Sequence, residues 1–220
     1  MARVSFELIS IRPAVNFAWR ALKSRCGLFA AILLTIFGAW VALEVMVIAG
    51  QRFGIVLWAA AHLGFLIFFA GLEVGLVRVC LTIHDGGEPT FADMFAHFAL
   101  GPRFLAGQVL YLLILIVGMA LLVVPGVYWG ARYSLFAFSL VADETDLANS
   151  FRQSAILSAG LTARLLAIML GLFAFNLLGA SVLGLGLLVT VPLSLLTMTA
   201  VYRQLTRPLQ DHSSPLNCAP

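Results

Sequence analysis

Charge is scarce in this sequence, and the scarcity decides what the chain can be. Of its 220 residues 10% are charged and 62% are hydrophobic. A soluble domain of this size carries about 25% charged and about 45–50% apolar residues. Too few ionic groups are present to cover a surface that faces water. Cysteine is nearly as rare: Cys26, Cys80 and Cys218 stand far apart with no C-x-x-C pair. That spacing excludes a zinc site and a disulfide framework. The usual catalytic signatures are missing too. The sequence has no G-x-S-x-G elbow, no P-loop and no H-E-x-x-H pair. Gly184-Leu-Gly186 lacks a third glycine and a preceding strand, so it makes no dinucleotide site. No enzymatic activity, cofactor or metal is expected.

What little charge exists is mostly basic, with a formal net charge of +3. The basic residues, nearly all Arg, do not gather in a patch. They lie in the gaps between apolar runs, which excludes nucleic acid as a partner and suits membrane orientation instead. The apolar runs are long enough to cross a hydrocarbon core, which takes about 20 residues per helix. The first is 28–50, interrupted by Glu44, and the second is 53–77, with His62 and Glu73 inside it. The third runs from Phe104 to Ala142 with Arg132 as its one charge, too long for a single crossing. Pro125-Gly126 near its middle divides it into 104–124 and 127–142, because proline removes a helix donor and glycine adds freedom. The last two, 161–180 and 182–201, are separated by a glycine-rich stretch. Six spans result, and residues 208–220 form a short polar tail expected to be disordered and cytosolic. The segment before Gly27 is too polar for a signal sequence, so the first run is expected to stay as a helix.

Charge asymmetry supports this count. With the N-terminus inside, the inner segments hold Arg3, Arg12, Arg20, Lys23, Arg25, Arg78, Arg103, Arg152, Arg164, Arg203 and Arg207, and the outer loops hold Arg52. That is the positive-inside pattern, with both termini cytosolic in a bacterial-type inner membrane. Trp58, Tyr128 and Trp129 fall at outer helix ends, where interfacial aromatics belong.

A short amphipathic segment precedes each odd-numbered span. In the first, Pro13 suits the N1 position. Val15, Ala18, Trp19 and Leu22 share one face, opposite Asn16, Arg20, Lys23 and Ser24. In the second, Thr90 and Asp93 form a variant capping box, followed by Phe91, Met94, Phe95 and Phe98 at helical spacing. The third, from about Thr145, puts Leu147, Ala148, Phe151 and Ala155 on one side. Each ends at a glycine (Gly27, Gly101, Gly160) in the position that favours left-handed geometry. The pattern predicts an all-α integral membrane protein built as one unit used three times: a cytosolic-face amphipathic helix, then a transmembrane hairpin.

The stretch 87–205 carries Phe91-Ala-Asp-Met-Phe95, Leu121-Leu-Val-Val-Pro-Gly-Val127, Asp143, Ser154 with Gly160, Gly184-Leu-Gly186, Pro192 and Tyr202-Arg203. In these pieces it resembles the YciC-like membrane proteins and the membrane domain fused to some glycerophosphodiester phosphodiesterases. The resemblance implies a six-helix membrane module with no established activity. No phosphodiesterase domain is present, so that activity does not carry over.

Ionisable groups at membrane depth are the functional candidates, because each costs about 2.5–3.5 kcal/mol at a helix centre even on insertion scales. They are Glu44, His62, Glu73 and Arg132. Glu44 and Arg132 sit at equal depth below the outer ends of their spans, which suggests a direct pair; the alternative is that each snorkels independently. His62 reads as a buried, hydrogen-bonded histidine before it reads as a ligand. Glu73 lies within Gly71-Leu-Glu-Val-Gly75, a small-residue surface for close helix packing, and Gly126 and Gly130 read the same way. Asn176 and Thr190 suit interhelical hydrogen bonds. His84, Asp85, Glu88 and Asp93 could hold a cation, but turn chemistry explains them more simply. The expected function is a non-enzymatic membrane module that recognises a membrane-protein or lipid partner within the lipid bilayer, in an oligomeric state left open. A small transporter or channel for a lipid or small solute is the alternative, resting on Glu44, Glu73, Arg132 and the helix breaks at Pro125 and Pro192.

Overall fold

Apolar runs without helix breakers become the long helices of the structure. The computed structural model describes residues 10–50, 54–181 and 186–213, and every regular element among them is helical. In chain order these are α1 (Ile11–Ser24), α2 (Cys26–Gly50), α3 (Ile55–His84), the four-residue α4 (Asp93–Ala96), a 3-10 turn (Phe98–Leu100) and α5 (Gly101–Leu121). There follow α6 (Val123–Tyr133), α7 (Phe136–Asp143), α8 (Leu147–Leu157), α9 (Thr162–Ser181) and α10 (Leu187–Ser213). Four segments among the described residues are long and apolar enough to cross a membrane: Cys26–Ile48, Ile55–His84, Phe98–Leu121 and Thr162–Ser181. The chain is an all-helical, multi-pass type of membrane protein.

Helices α3 and α10 are central, because both contribute to two buried clusters. One joins Val74, Val77 and Leu81 of α3 to Leu140 of α7, Leu165 of α9 and Tyr202 of α10. The other joins Ala18 and Leu22 of α1 and Phe29 and Ile32 of α2 to Leu72 and Leu76 of α3 and Leu196 of α10. Large apolar side chains outside these clusters, such as Ile48, Ile55, Leu122, Phe173 and Leu178, are exposed. An apolar surface of this extent suits contact with lipid.

The faces expected for the first and third amphipathic segments are buried only in part: Ala18, Leu22 and Phe151 are buried, while Asn16, Arg20, Lys23 and Ser24 stay exposed. In α1 the buried stripe is Ala14, Ala18, Ala21 and Leu22, while Val15 and Trp19 are exposed. In α8 it is Ser150, Phe151, Ser154 and Leu157, while Ala148 is exposed. Between helices in lipid, close backbone approach and hydrogen bonding favour small residues, and Leu or Ile gains nothing by turning inward. The middle segment is not a full helix. Its Thr90–Asp93 turn gives way to the short α4 and the 3-10 turn.

The glycine expectations divide. Gly160 has a φ of 76° at the α8–α9 junction, the left-handed geometry expected. Gly27 lies inside α2, since the α1–α2 turn is made at Arg25, and Gly101 opens α5 in ordinary helical geometry. Gly71 and Gly75 do pack closely, but against the 90–100 segment. A Cβ on Gly75 would lie 2.0 Å from the Met94 carbonyl oxygen, and one on Gly71 would lie 2.8 Å from the Phe98 ring. Glycine contacts also close two hairpins, Gly118 on Gly126 between α5 and α6, and Gly179 on Gly186 between α9 and α10.

The helix breaks also move. The α5–α6 turn is made at Leu122, whose backbone is extended (φ −167°, ψ 139°). Pro125 sits in the first turn of α6, where its missing N–H costs nothing. Residues 127–142 are not one continuous helix: α6 and α7 are separated by a turn at Ser134 and Leu135. Pro192 is buried within α10, which runs through it without a break. That helix also continues to Ser213, into the stretch expected as a tail, and 214–220 lie outside the described residues. So do residues 51–53, at the expected start of the second span, and residues 182–185 with Gly184, at the expected start of the sixth.

Candidate functional site

The ionic residues of distant segments meet at the ends of the central helices. Arg203 of α10 donates to Asp85, just beyond α3, at 2.5 Å, and His84 lies 3.7 Å from the same carboxylate. Arg25, between α1 and α2, donates to the Gly87 carbonyl at 3.3 Å and faces Glu88 at 3.6 Å. The Ser10 N–H donates to Gln204 at 3.0 Å, joining the start of α1 to α10. Nearby loops follow the same habit: His97 faces Glu144 at 3.4 Å, and Arg78 donates to the Val141 carbonyl at 3.1 Å. Asp93 accepts from the Thr90 N–H at 2.6 Å and from its hydroxyl at 3.0 Å. These bonds hold its carboxyl below the ordinary Asp value. The acids once grouped as a cation site are thus engaged separately, and no three His, Cys, Asp or Glu side chains converge as a metal site among the described residues.

Within the apolar helices the polar groups are dispersed. Glu73 of α3 accepts a hydrogen bond from Gln108 of α5. Asn176 of α9 donates to the Ser194 hydroxyl of α10 at 2.9 Å, so it does bond across helices. Thr190 does not: its hydroxyl is buried without a hydrogen-bond partner among the described residues, as is the Asn176 carbonyl oxygen. His62 stacks on Trp58 with ring centroids 5.3 Å apart, and both Trp58 Nε1 and His62 Nδ1 are unpartnered among the described residues. The two rings, with Met46, Val47 and Leu57, line a cavity of about 210 Å³ between α2 and α3.

Glu44 and Arg132 are not brought together. Glu44 is exposed on α2, whereas Arg132 Nη1 donates to the Tyr128 hydroxyl, one turn earlier on α6, at 3.2 Å. Neither residue belongs to an ion pair among the described residues. Equal depth does not bring two side chains together, because α2 packs chiefly on α3 while α6 packs on α5 and α9. Depth itself departs from the expected plan. Val123, Val124, Val127 and Tyr128, expected near the outer face, line one cavity of about 350 Å³ with Thr162 and Ala163, expected at the inner face.

The partners of three polar residues escaped the sequence. Gln108 was one polar residue in an apolar run, and that rarity was its signal. Ser154 and Ser158 both donate to the Arg132 carbonyl, at 3.0 and 2.9 Å. Ser154 Oγ also accepts from the Leu135 N–H at 3.2 Å. The two serines thereby satisfy backbone groups at the α6–α7 turn, which an apolar surrounding makes costly to leave bare. Compared with known proteins, the chain matches no family model, no curated protein and no solved structure.

Proposed function

We propose that this protein is a non-enzymatic module of a bacterial-type inner membrane that recognises a lipid or membrane-protein partner. In this reading the chain crosses the bilayer as three helical hairpins, six membrane-inserted helices in all, with both termini and the paired polar loops in the cytosol. Segment α1 lies along the inner interface with Ile11, Val15 and Trp19 toward lipid. The resemblance to the YciC-like group belongs to the same proposal.

The observation that carries the reading is the way the charges are used. Asp85, Glu88, Arg25 and Arg203 are engaged in ion pairs that tie loops and helix ends together, Glu144 faces His97, and Glu73 is occupied by Gln108. Neither cavity described above is lined by Glu44, Glu73 or Arg132. Charges arranged along a wetted path would favour transport, whereas this arrangement favours a packed scaffold. In this reading the α5–α6 hairpin lies tilted in the membrane, which the cavity shared by α6 and α9 supports.

The test is reconstitution into sealed vesicles. The proposal expects vesicles tight to protons and small solutes, and a lipid or protein retained through purification in native nanodiscs. Solute uptake that Glu73→Gln abolishes would overturn it in favour of a transporter.

A further inference from the structure

We propose that the groove between α6 and the start of α9 holds an anionic phospholipid, its phosphate on Arg132 and Tyr128 and an acyl chain along the groove. This rests on the lipid arm of the proposed function and names the site for it.

The groove, at about 350 Å³, falls within the range of about 300–1,000 Å³ usual for small-ligand sites. Its walls are Val123, Val124 and Val127 on one side and Thr162 and Ala163 on the other. The Thr162 hydroxyl is already spent, donating to the Ser158 carbonyl at 3.0 Å. Of the other lining residues only Tyr128 carries a polar side-chain group, a hydroxyl that accepts from Arg132 and so keeps its own proton to give away. Beside it stands a guanidinium that no carboxylate pairs among the described residues. A cation in apolar surroundings without a counter-charge is costly. A phosphate would supply that charge, accept from the guanidinium fork in parallel bonds, and accept the tyrosine proton as well.

The apolar part of the site selects a lipid over a free anion. Leu121, Leu122 and Val124 beside the groove are 66%, 69% and 79% exposed, a surface that lipid chains cover and water does not. Basic pockets between membrane helices take anionic headgroups for the same reasons of charge and geometry. Arginine also reaches toward the headgroup layer along its own stem, so the phosphate need not leave its leaflet.

Native mass spectrometry of protein in phosphatidylcholine nanodiscs containing a minority of phosphatidylglycerol tests this. Wild type is expected to retain phosphatidylglycerol selectively, and Arg132→Gln to lower that preference about tenfold. The backbone bonds from Ser154 and Ser158 to residue 132 survive that substitution, so the fold and its melting temperature should stand. Ala163→Phe, at an exposed position on the groove wall, should exclude either lipid, and Tyr128→Phe should weaken the preference less than Arg132→Gln. An unchanged preference in Arg132→Gln overturns the proposal. So does inorganic phosphate binding that Ala163→Phe leaves intact, or a dimer that covers the groove and retains no lipid. Uptake measured on vesicles of the same protein separates the two claims: uptake with the lipid preference intact contradicts the proposed function alone.

Discussion

Replacing Gly75 with alanine adds one methyl group where the structure has no room for it. The new Cβ would lie 2.0 Å from the Met94 carbonyl oxygen, 2.7 Å from its carbon and 2.9 Å from its Cα. All three are backbone atoms, so no side-chain rotation relieves the clash, and the 90–100 segment must lift from α3. Overpacking of this kind costs about 1–3 kcal/mol. Gly64 is the control, because it lies on the same helix and a Cβ there meets nothing within 4 Å. Gly64→Ala should be neutral or should stabilise by up to about 1 kcal/mol, through helix propensity. Gly71→Ala should fall between them, since its Cβ meets the Phe98 ring at 2.8 Å and a ring can move. Thermal unfolding in detergent gives the order, and thiol labelling of Phe95→Cys reports whether the segment has lifted. If Gly75→Ala matched Gly64→Ala in both assays, the seating of this segment on α3 would be wrong.

Ser154→Ala leaves the Leu135 N–H without its partner and should cost about 1–3 kcal/mol. Ser158→Ala should cost less, because Ser154 still serves the Arg132 carbonyl; equal losses in chemical unfolding would contradict the assigned roles. Arg203 and Asp85 should couple by no more than about 1 kcal/mol in a double-mutant cycle, since half of the Asp85 side chain is exposed. Strong coupling would point to a drier pair than the one seen. The Thr90 bonds depress the Asp93 pKa, so the turn they hold is intact above the ordinary Asp value of 3.8 and is lost only as pH falls through the lower folded value. Carboxyl NMR should place its midpoint below 3.8 and return it toward that value in Thr90→Val.

Hydropathy made the long helices legible, because the run of apolar residues and the need to satisfy every backbone group in lipid point to the same answer. Helix α2 and the hairpin closure near Gly126 could be read in this way. The orientation of the shorter helices could not. Periodicity puts Val15, Ala18, Trp19 and Leu22 on one face, but it does not say which of them meet the protein: Ala18 and Leu22 are buried and Val15 and Trp19 are exposed. In lipid the alanines of α1 and the serines of α8 take the inward place. Pro125 and Pro192 were read as breaks, yet one sits harmlessly in a first turn and the other inside a continuous helix. Equal depth below the outer ends of their spans suggests Glu44 with Arg132, but pairing depends on which helices are neighbours, and that lies in long-range packing. Glu73 with Gln108 and Asn176 with Ser194 are the true polar pairs. Each was visible as isolated polar residues without its partner being named.

The central claim is a membrane scaffold whose paired polar loops lie in the cytosol and whose α5–α6 tip does not. A membrane-impermeant maleimide tests it, applied to cells carrying single cysteines at Glu88 or Val124, with Cys26, Cys80 and Cys218 replaced by alanine. Glu88 has a side chain 90% exposed, and Val124 is 79% exposed, so neither needs the fold to open in order to react. The account predicts that Glu88→Cys labels only after the cells are permeabilised. Val124→Cys should stay unlabelled in both states, because the tilted hairpin keeps its tip in lipid. Labelling of Glu88→Cys in intact cells, or of Val124→Cys in either state, would contradict the arrangement.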